Sequence, residues 1–144
     1  RAVRSRLRSI GTVGSTLSGG LDSGSVSALA ALELKKQNQK LKTYTSIPLY
    51  KTDKLVGLKR FGDETAFANE TAQFSGNIEM NYIQGTQIDI LNSAYKTVTI
   101  HDAPAHAIGN AFWILELLQT AKEQGITTLL TGQSGNASVS WTGL

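Results

Sequence analysis

The chain has 144 residues, 40% of them hydrophobic and 17% charged, with a net charge of +3. That length and balance suit one globular domain with a real core and exclude a disordered chain. No cysteine is present, which excludes disulfides and thiol catalysis. No apolar run approaches 18 residues and no signal-peptide pattern opens the chain, so no membrane span or secretion signal is expected.

Residues 1–9 have apolar positions at Ala2, Val3 and Leu7, the pattern of a short amphipathic helix. Arg1, Arg4, Arg6 and Arg8 supply much of the excess positive charge, and the sequence pI is about 9.3. Such a cluster could neutralise nucleic-acid phosphates. It is short and has no interleaved aromatics, so a solvated helix face is the better reading and no nucleic-acid partner is expected. Thr12 to Leu17 is β-branched and largely apolar and suits a buried parallel strand. Ser23 to Lys36 reads as a helix; Ser25, Ala28, Leu29 and Leu32 fall on one face, and small residues near its start permit close packing on a sheet. Lys42 to Ile47 is a second strand, stopped by Pro48.

Leu49 to Gly62 is polar and basic and is expected to be a mobile surface loop. Asp63 caps a helix running to about Phe74, with Phe67, Thr71 and Phe74 along one face and Gly76 as its stop. Asn77 to Ile83 alternates apolar and polar residues, as a strand does. Thr86 to Tyr95 looks helical, and 98–100 is ambiguous. Ala105 to Gln124 repeats apolar residues at helical spacing and ends at Gly125. Ile126 to Thr131 is a buried strand, and Gly132 to Asn136 a turn. Strands alternating with helices predict an α/β fold, a parallel twisted sheet with helices on both faces. Ligands of such sheets bind beyond the carboxyl ends of the strands.

Ser18-Gly19-Gly20-Leu21-Asp22-Ser23 joins the first strand to the first long helix. Two glycines let backbone approach an anion closely, and the helix start offers N–H groups and the positive dipole end. Ser18 and Ser23 add hydroxyls. Asp22 makes sense beside phosphate as a ligand of Mg²⁺. The loop lacks the Lys of a Walker A motif and the spacing of the dinucleotide fingerprint. His101, Asp102 and His106 offer no metal-ligand spacing, and Asp102-Ala103-Pro104 reads as a turn leading into a helix. Trp113 and Trp141 read as core or subunit packing, and Asp89 and Glu116 as solvated helix charges.

Leu17 through Ser23 resembles the pyrophosphate-binding loop of the ATP pyrophosphatases, and in the form Leu-Ser-Gly-Gly-Leu-Asp-Ser it is most similar to the synthetase domain of glutamine-dependent asparagine synthetases. The resemblance implies an adenine nucleotide alpha hydrolase-like, Rossmann-like fold. It implies ATP and Mg²⁺, with Leu17, Ser18, Gly19, Gly20, Leu21 and Ser23 on the pyrophosphate and Asp22 on the metal. Ser46 and Ile47 would contact adenosine at the second strand end, and Thr131 and Gly132 match the opening Ser-Gly of the family's second loop. Gln133 stands where the family has a catalytic Glu, Asn136 where an Asp helps hold Mg²⁺, and Ala137 replaces a further Glu. Asp63-Glu64 before a helix with Ala66 and Ala68 is also similar to the family.

The implied reaction is adenylation of a carboxylate and amide formation, as of aspartate to asparagine. Nitrogen would come from glutamine through a glutaminase domain elsewhere in a longer protein. Small-molecule substrates, a cytoplasmic location and no membrane are expected, and a homodimer is compatible with the resemblance. Alternatives are a relative that closes an amide ring in a peptide or β-lactam, and a nucleotide-binding module without turnover. The chain does not begin with Met and is expected to be an excised piece, residues 1–144 forming the synthetase domain.

Overall fold

Val13 and Ser15 point to one face of strand β1 (Thr12–Thr16), and Gly14 and Thr16 to the other. This alternation organises the computed structural model, which describes residues 1–8, 11–52, 62–104 and 107–135. Helix α1 (Ala2–Arg6) precedes β1; helix α2 (Leu21–Lys35), strand β2 (Leu41–Ser46), helix α3 (Thr65–Ser75) and strand β3 (Ile78–Ile83) follow. Helix α4 (Ile90–His101), a 3₁₀ turn (Ile108–Asn110), helix α5 (Ala111–Glu123) and strand β4 (Ile126–Leu130) complete the described elements. The sheet is wholly parallel in the order β3-β2-β1-β4. The expected parallel α/β architecture is therefore what forms, with the order reversing at β1.

On one face Val13, Leu41 and Leu130 pack with Ala30, Ala31 and Leu34 of α2, flanked by Val3 and Leu7 beside α1. On the other, Tyr44 and Ile83 pack with Leu117 and Ala121 of α5, joined by Trp113. Burying a leucine such as Leu41 contributes about 1.5–3 kcal/mol. Gly14 leaves room for the Tyr44 ring, since a Cβ there would lie 3.2 Å from Tyr44 Cε2.

The buried side of α2 is not the leucine side. Ser23, Ser27, Ala30, Ala31 and Leu34 are buried, whereas Leu29 and Leu32 are more than half exposed. Small residues let the helix lie close on the sheet, and the hydroxyls find partners there. Ser27 Oγ lies 2.9 Å from Ser15 Oγ and donates to Thr16 O. A buried hydroxyl so paired avoids the desolvation penalty. Helix α3 repeats the pattern: Ala68 and Ala72 are buried, and Phe74 is 91% exposed.

Three boundaries also differ from expectation. Helix α4 starts at Ile90 because Asp89 is its cap, accepting from Asn92 N, and it continues through the ambiguous 98–100. Asp102 ends that helix in the left-handed region instead of leading into the next one. Helix α5 begins only at Ala111, after Ala107 in the left-handed region and the 3₁₀ turn. The expected surface loop is described at 49–52 and Gly62, while 53–61 lie outside the described residues.

Candidate active site

Ser18 follows β1 directly, and the loop it opens is bonded from within. Ser18 N donates to Ser23 Oγ at 3.0 Å, and Gly20 N donates to Ser18 Oγ at 3.1 Å. The two hydroxyl oxygens are 2.7 Å apart, and Ser23 Oγ is 3.3 Å from Gly20 O. One proton arrangement satisfies them all: Ser18 Oγ donates to Ser23 Oγ, which donates to Gly20 O. The bonds fix Gly20 as the extended residue before α2, so Asp22 and Ser23 lie in the first helical turn. That turn presents N–H groups and the positive end of the dipole.

Strand β4 ends beside the same turn. A Cβ at Gly132 would lie 2.5 Å from Ser23 N and 2.9 Å from Asp22 C. One at Gly135 would overlap the Asp22 carboxyl carbon. Only glycine lets the backbone of this second loop come so near Asp22 and Ser23. Thr131 and Gln133 are exposed in it, whereas Asn136 and Ala137 lie outside the described residues.

From Ser18 and Ser23 a cavity of about 590 Å³ extends across the strand ends. Ser46, Ile47, Pro48 and Leu49 line it after β2, Gln84 after β3, and Asn110, Phe112 and Trp113 from the α5 side. Its size falls within the range of small-molecule sites. Gly19, Gly20 and Leu21 instead line a second cavity of about 530 Å³, shared with Phe67, Glu70, Thr71 and Phe74 of α3. The structure thus brings Ser18, Ser23, Ser46, Ile47 and Leu17 to one cavity. It sets Gly132 and Gly135 against the helix turn behind it.

Several contributors were not legible as site residues. Glu64 lines the larger cavity and accepts from Gly19 N at 3.2 Å. Glu116 is buried, against the expectation of a solvated charge, because its carboxylate accepts from Gly85 N at 3.1 Å and Gln87 N at 2.6 Å. It pins the loop that presents Gln84. Gly85 has φ +71°, and a Cβ there would fall 2.7 Å from Phe112 Cδ2, so the loop lies flat on α5. Tyr44 OH donates to Gln124 Oε1, whose amide donates to Asn81 Oδ1. Burial, and then the charge of Glu79, raise the Tyr44 pKa, keeping it a neutral donor. Asp63 accepts from Thr65 N and Thr65 Oγ1, which hold its carboxyl below its usual range; it stands one residue before Glu64, the cap position of α3, and not at the cap as expected.

Other sequence candidates are dispersed. Arg4 is engaged with Glu33 through paired bonds of 2.8 and 3.1 Å. His101 is in the last turn of α4, and His106 and Trp141 lie outside the described residues. Among the described residues no group of three or more His, Cys, Asp or Glu gathers to hold a metal, and no helix is long and apolar enough to cross a membrane.

A family model described as asparagine synthase matches residues 1–139. The crystal structure of NAD+ synthetase from Burkholderia pseudomallei is similar over 87% of this chain, at 16% identity and a TM-score of 0.44. The match spans 55% of that protein's chain. A universal stress protein in complex with cAMP is similar over 85% of this chain and 97% of its own, at 15% identity and a TM-score of 0.36. No curated protein sequence matches.

Proposed function

The chain belongs to the asparagine synthase family, and from that premise we propose that it is the ATP-binding synthetase part of a ligase that activates a carboxylate as its adenylate and passes it to an amine. The observation that carries the reading is the Ser18–Ser23 loop at the end of β1, opening on a cavity that Ser46 and Ile47 line. Order reverses between β1 and β4, so the loop after β1 lies beside the switch point, where open parallel sheets bind ligands.

In the adenylation step a carboxylate oxygen bonds to the α-phosphorus of ATP, and the bond to the bridging oxygen breaks to release pyrophosphate. This chemistry is largely positioning and charge neutralisation. Ser18 and Ser23 hydroxyls and the Gly19 and Gly20 N–H groups would hold the departing pyrophosphate. Ser46, Ile47, Gly132 and Thr131 would flank the adenosine, with Phe112 and Trp113 as apolar wall. The donor chemistry fits Mg²⁺ modestly: Asp22 supplies one hard carboxylate, which that ion accepts alongside waters and phosphate oxygens. Mg²⁺ held there would neutralise phosphate charge, with the Asn136 side chain as a neutral second donor. Gln133 can hydrogen-bond a substrate but cannot transfer a proton as a glutamate would.

Aspartate as acid, glutamine as nitrogen source through a glutaminase domain, and the cytoplasm as location complete the proposal for the whole protein. ATP–pyrophosphate exchange, measured on the full-length protein with a panel of carboxylic acids, tests it. Exchange with aspartate is the expected result. Exchange only with a larger amino or peptide acid favours amide-ring closure. Mg-ATP binding without exchange for any acid replaces the ligase with a nucleotide-binding module, the reading that Gln133 favours.

A further inference from the structure

Glu64 immediately precedes α3, yet its side chain makes no capping bond to that helix. Asp63, one residue earlier, accepts from Thr65 N instead, and Glu64 turns away to accept from Gly19 N at 3.2 Å. The approach is close: a Cβ at Gly19 would lie 3.0 Å from Glu64 Cβ. Ser18 N and Gly20 N are held by the loop's own hydroxyls, so this N–H alone of the three is held by a carboxylate from another element. A carboxylate oxygen on a backbone N–H does chemically what a phosphate oxygen would do there.

We propose that Glu64 is an internal competitor for the anion subsite at Gly19, a carboxylate that a phosphate oxygen must displace when pyrophosphate binds. The inference rests on the reading of this loop as a pyrophosphate site and adds the residue that sets its affinity. The side chain is exposed, so it can swing into solvent when the phosphate arrives. Until it does, its negative charge also opposes an incoming polyanion. Phe67 of α3 is equally close to this glycine, since a Cβ at Gly19 would lie 3.0 Å from Phe67 Cβ.

Isothermal titration of inorganic pyrophosphate into the chain, in metal-free buffer, tests this. Removing a like charge at an exposed site a few ångströms from a phosphate gives about a fivefold gain. Glu64→Gln is therefore expected to bind about fivefold more tightly, and Glu64→Ala at least as tightly as Glu64→Gln. Glu123→Gln changes net charge equally from the exposed C-terminal end of α5, outside both cavities, and is expected to leave binding unchanged. Equal or weaker binding by Glu64→Gln, or an equal gain in Glu123→Gln, overturns the inference while leaving the pyrophosphate site standing. Absence of binding in every protein overturns the site and the inference together. Should Glu64→Gln not fold, wild-type NMR decides: pyrophosphate must shift both the Gly19 amide and the Glu64 side-chain carboxyl resonance, and an unmoved Glu64 overturns the inference.

Discussion

Two loops leave the same end of the sheet and are held in opposite ways. The Ser18–Gly20 loop is supported mainly from inside, by a hydroxyl five residues away and by its own first serine, with the Glu64 carboxylate reaching only Gly19. The loop after β3 borrows its support: the Glu116 carboxylate reaches Gly85 from 31 residues away and Gln87 from 29. The first device uses neutral, short-range bonds at Ser18 and Gly20 and leaves only the Gly19 N–H on a carboxylate, that of exposed Glu64, near a cleft. The second uses a buried charge, which is costly unless fully bonded and therefore fixes one geometry. One loop is built to exchange partners and the other to stay put.

Breaking the borrowed support has the largest expected effect. Glu116→Ala leaves two backbone N–H groups without their charged acceptor and is expected to cost about 3 kcal/mol in urea unfolding. Glu116→Gln keeps one acceptor oxygen and should cost about 1–2 kcal/mol. A loss under about 0.5 kcal/mol for the alanine variant, within the range of ordinary surface substitutions, would show that the β3 loop stands without it. Breaking the internal support costs less. Ser23→Ala removes the acceptor of Ser18 N and the partner of Ser18 Oγ, for about 1–2 kcal/mol. Amide exchange at Ser18 should quicken while Gly85 keeps its protection; quickening at both would mean the two loops form one unit.

The smallest effect belongs to support at the surface. Arg4 and Lys36 hold the Glu33 carboxyl at about 2, below its ordinary 4.5. Because the folded value is the lower one, this contribution is complete above about pH 4.5 and is lost as pH falls through about 2. Both partners are open to solvent, so screening shrinks it. Wild type should lose slightly more stability than Glu33→Gln between these pH values at low salt, and the difference should vanish in high salt. A difference that survives high salt would place this ion pair with Glu116 instead of with surface charges.

The same contrast explains what could be read from residues alone. The Ser18–Ser23 loop is contiguous, and its strand, turn and helix carry their signals in neighbouring positions; the parallel α/β order followed from them. Glu116 looked like a solvated charge because its partners are backbone groups of another segment. The faces of α2 and α3 were misjudged for a related reason. Leu29, Leu32 and Phe74 carry the apolar signal, but the sheet accepts the small residues, and Ser27 is buried because Ser15 waits for it across the interface. Hydrophobic periodicity weighs side chains singly and does not register such reciprocity. Helix α4 begins later than its sequence predicts, because Asp89 is the cap that starts the helix and not a charge along it.

The pairing of β1 with β4 sets when the site can exist. Ser15 Oγ comes within 3.3 Å of Leu130 O across 115 residues, and the Gly132 backbone meets Asp22 and Ser23 only once that strand is in place. Closing so long a loop is entropically slow, and non-local parallel pairing is typically late in folding. On a ribosome the anion loop emerges near the start of this segment and its backing strand near the end. The proposed nucleotide site is thus complete only when nearly the whole segment has been made and folded, and a chain cut short before β4 would display the motif without the backing of Gly132 and Gly135.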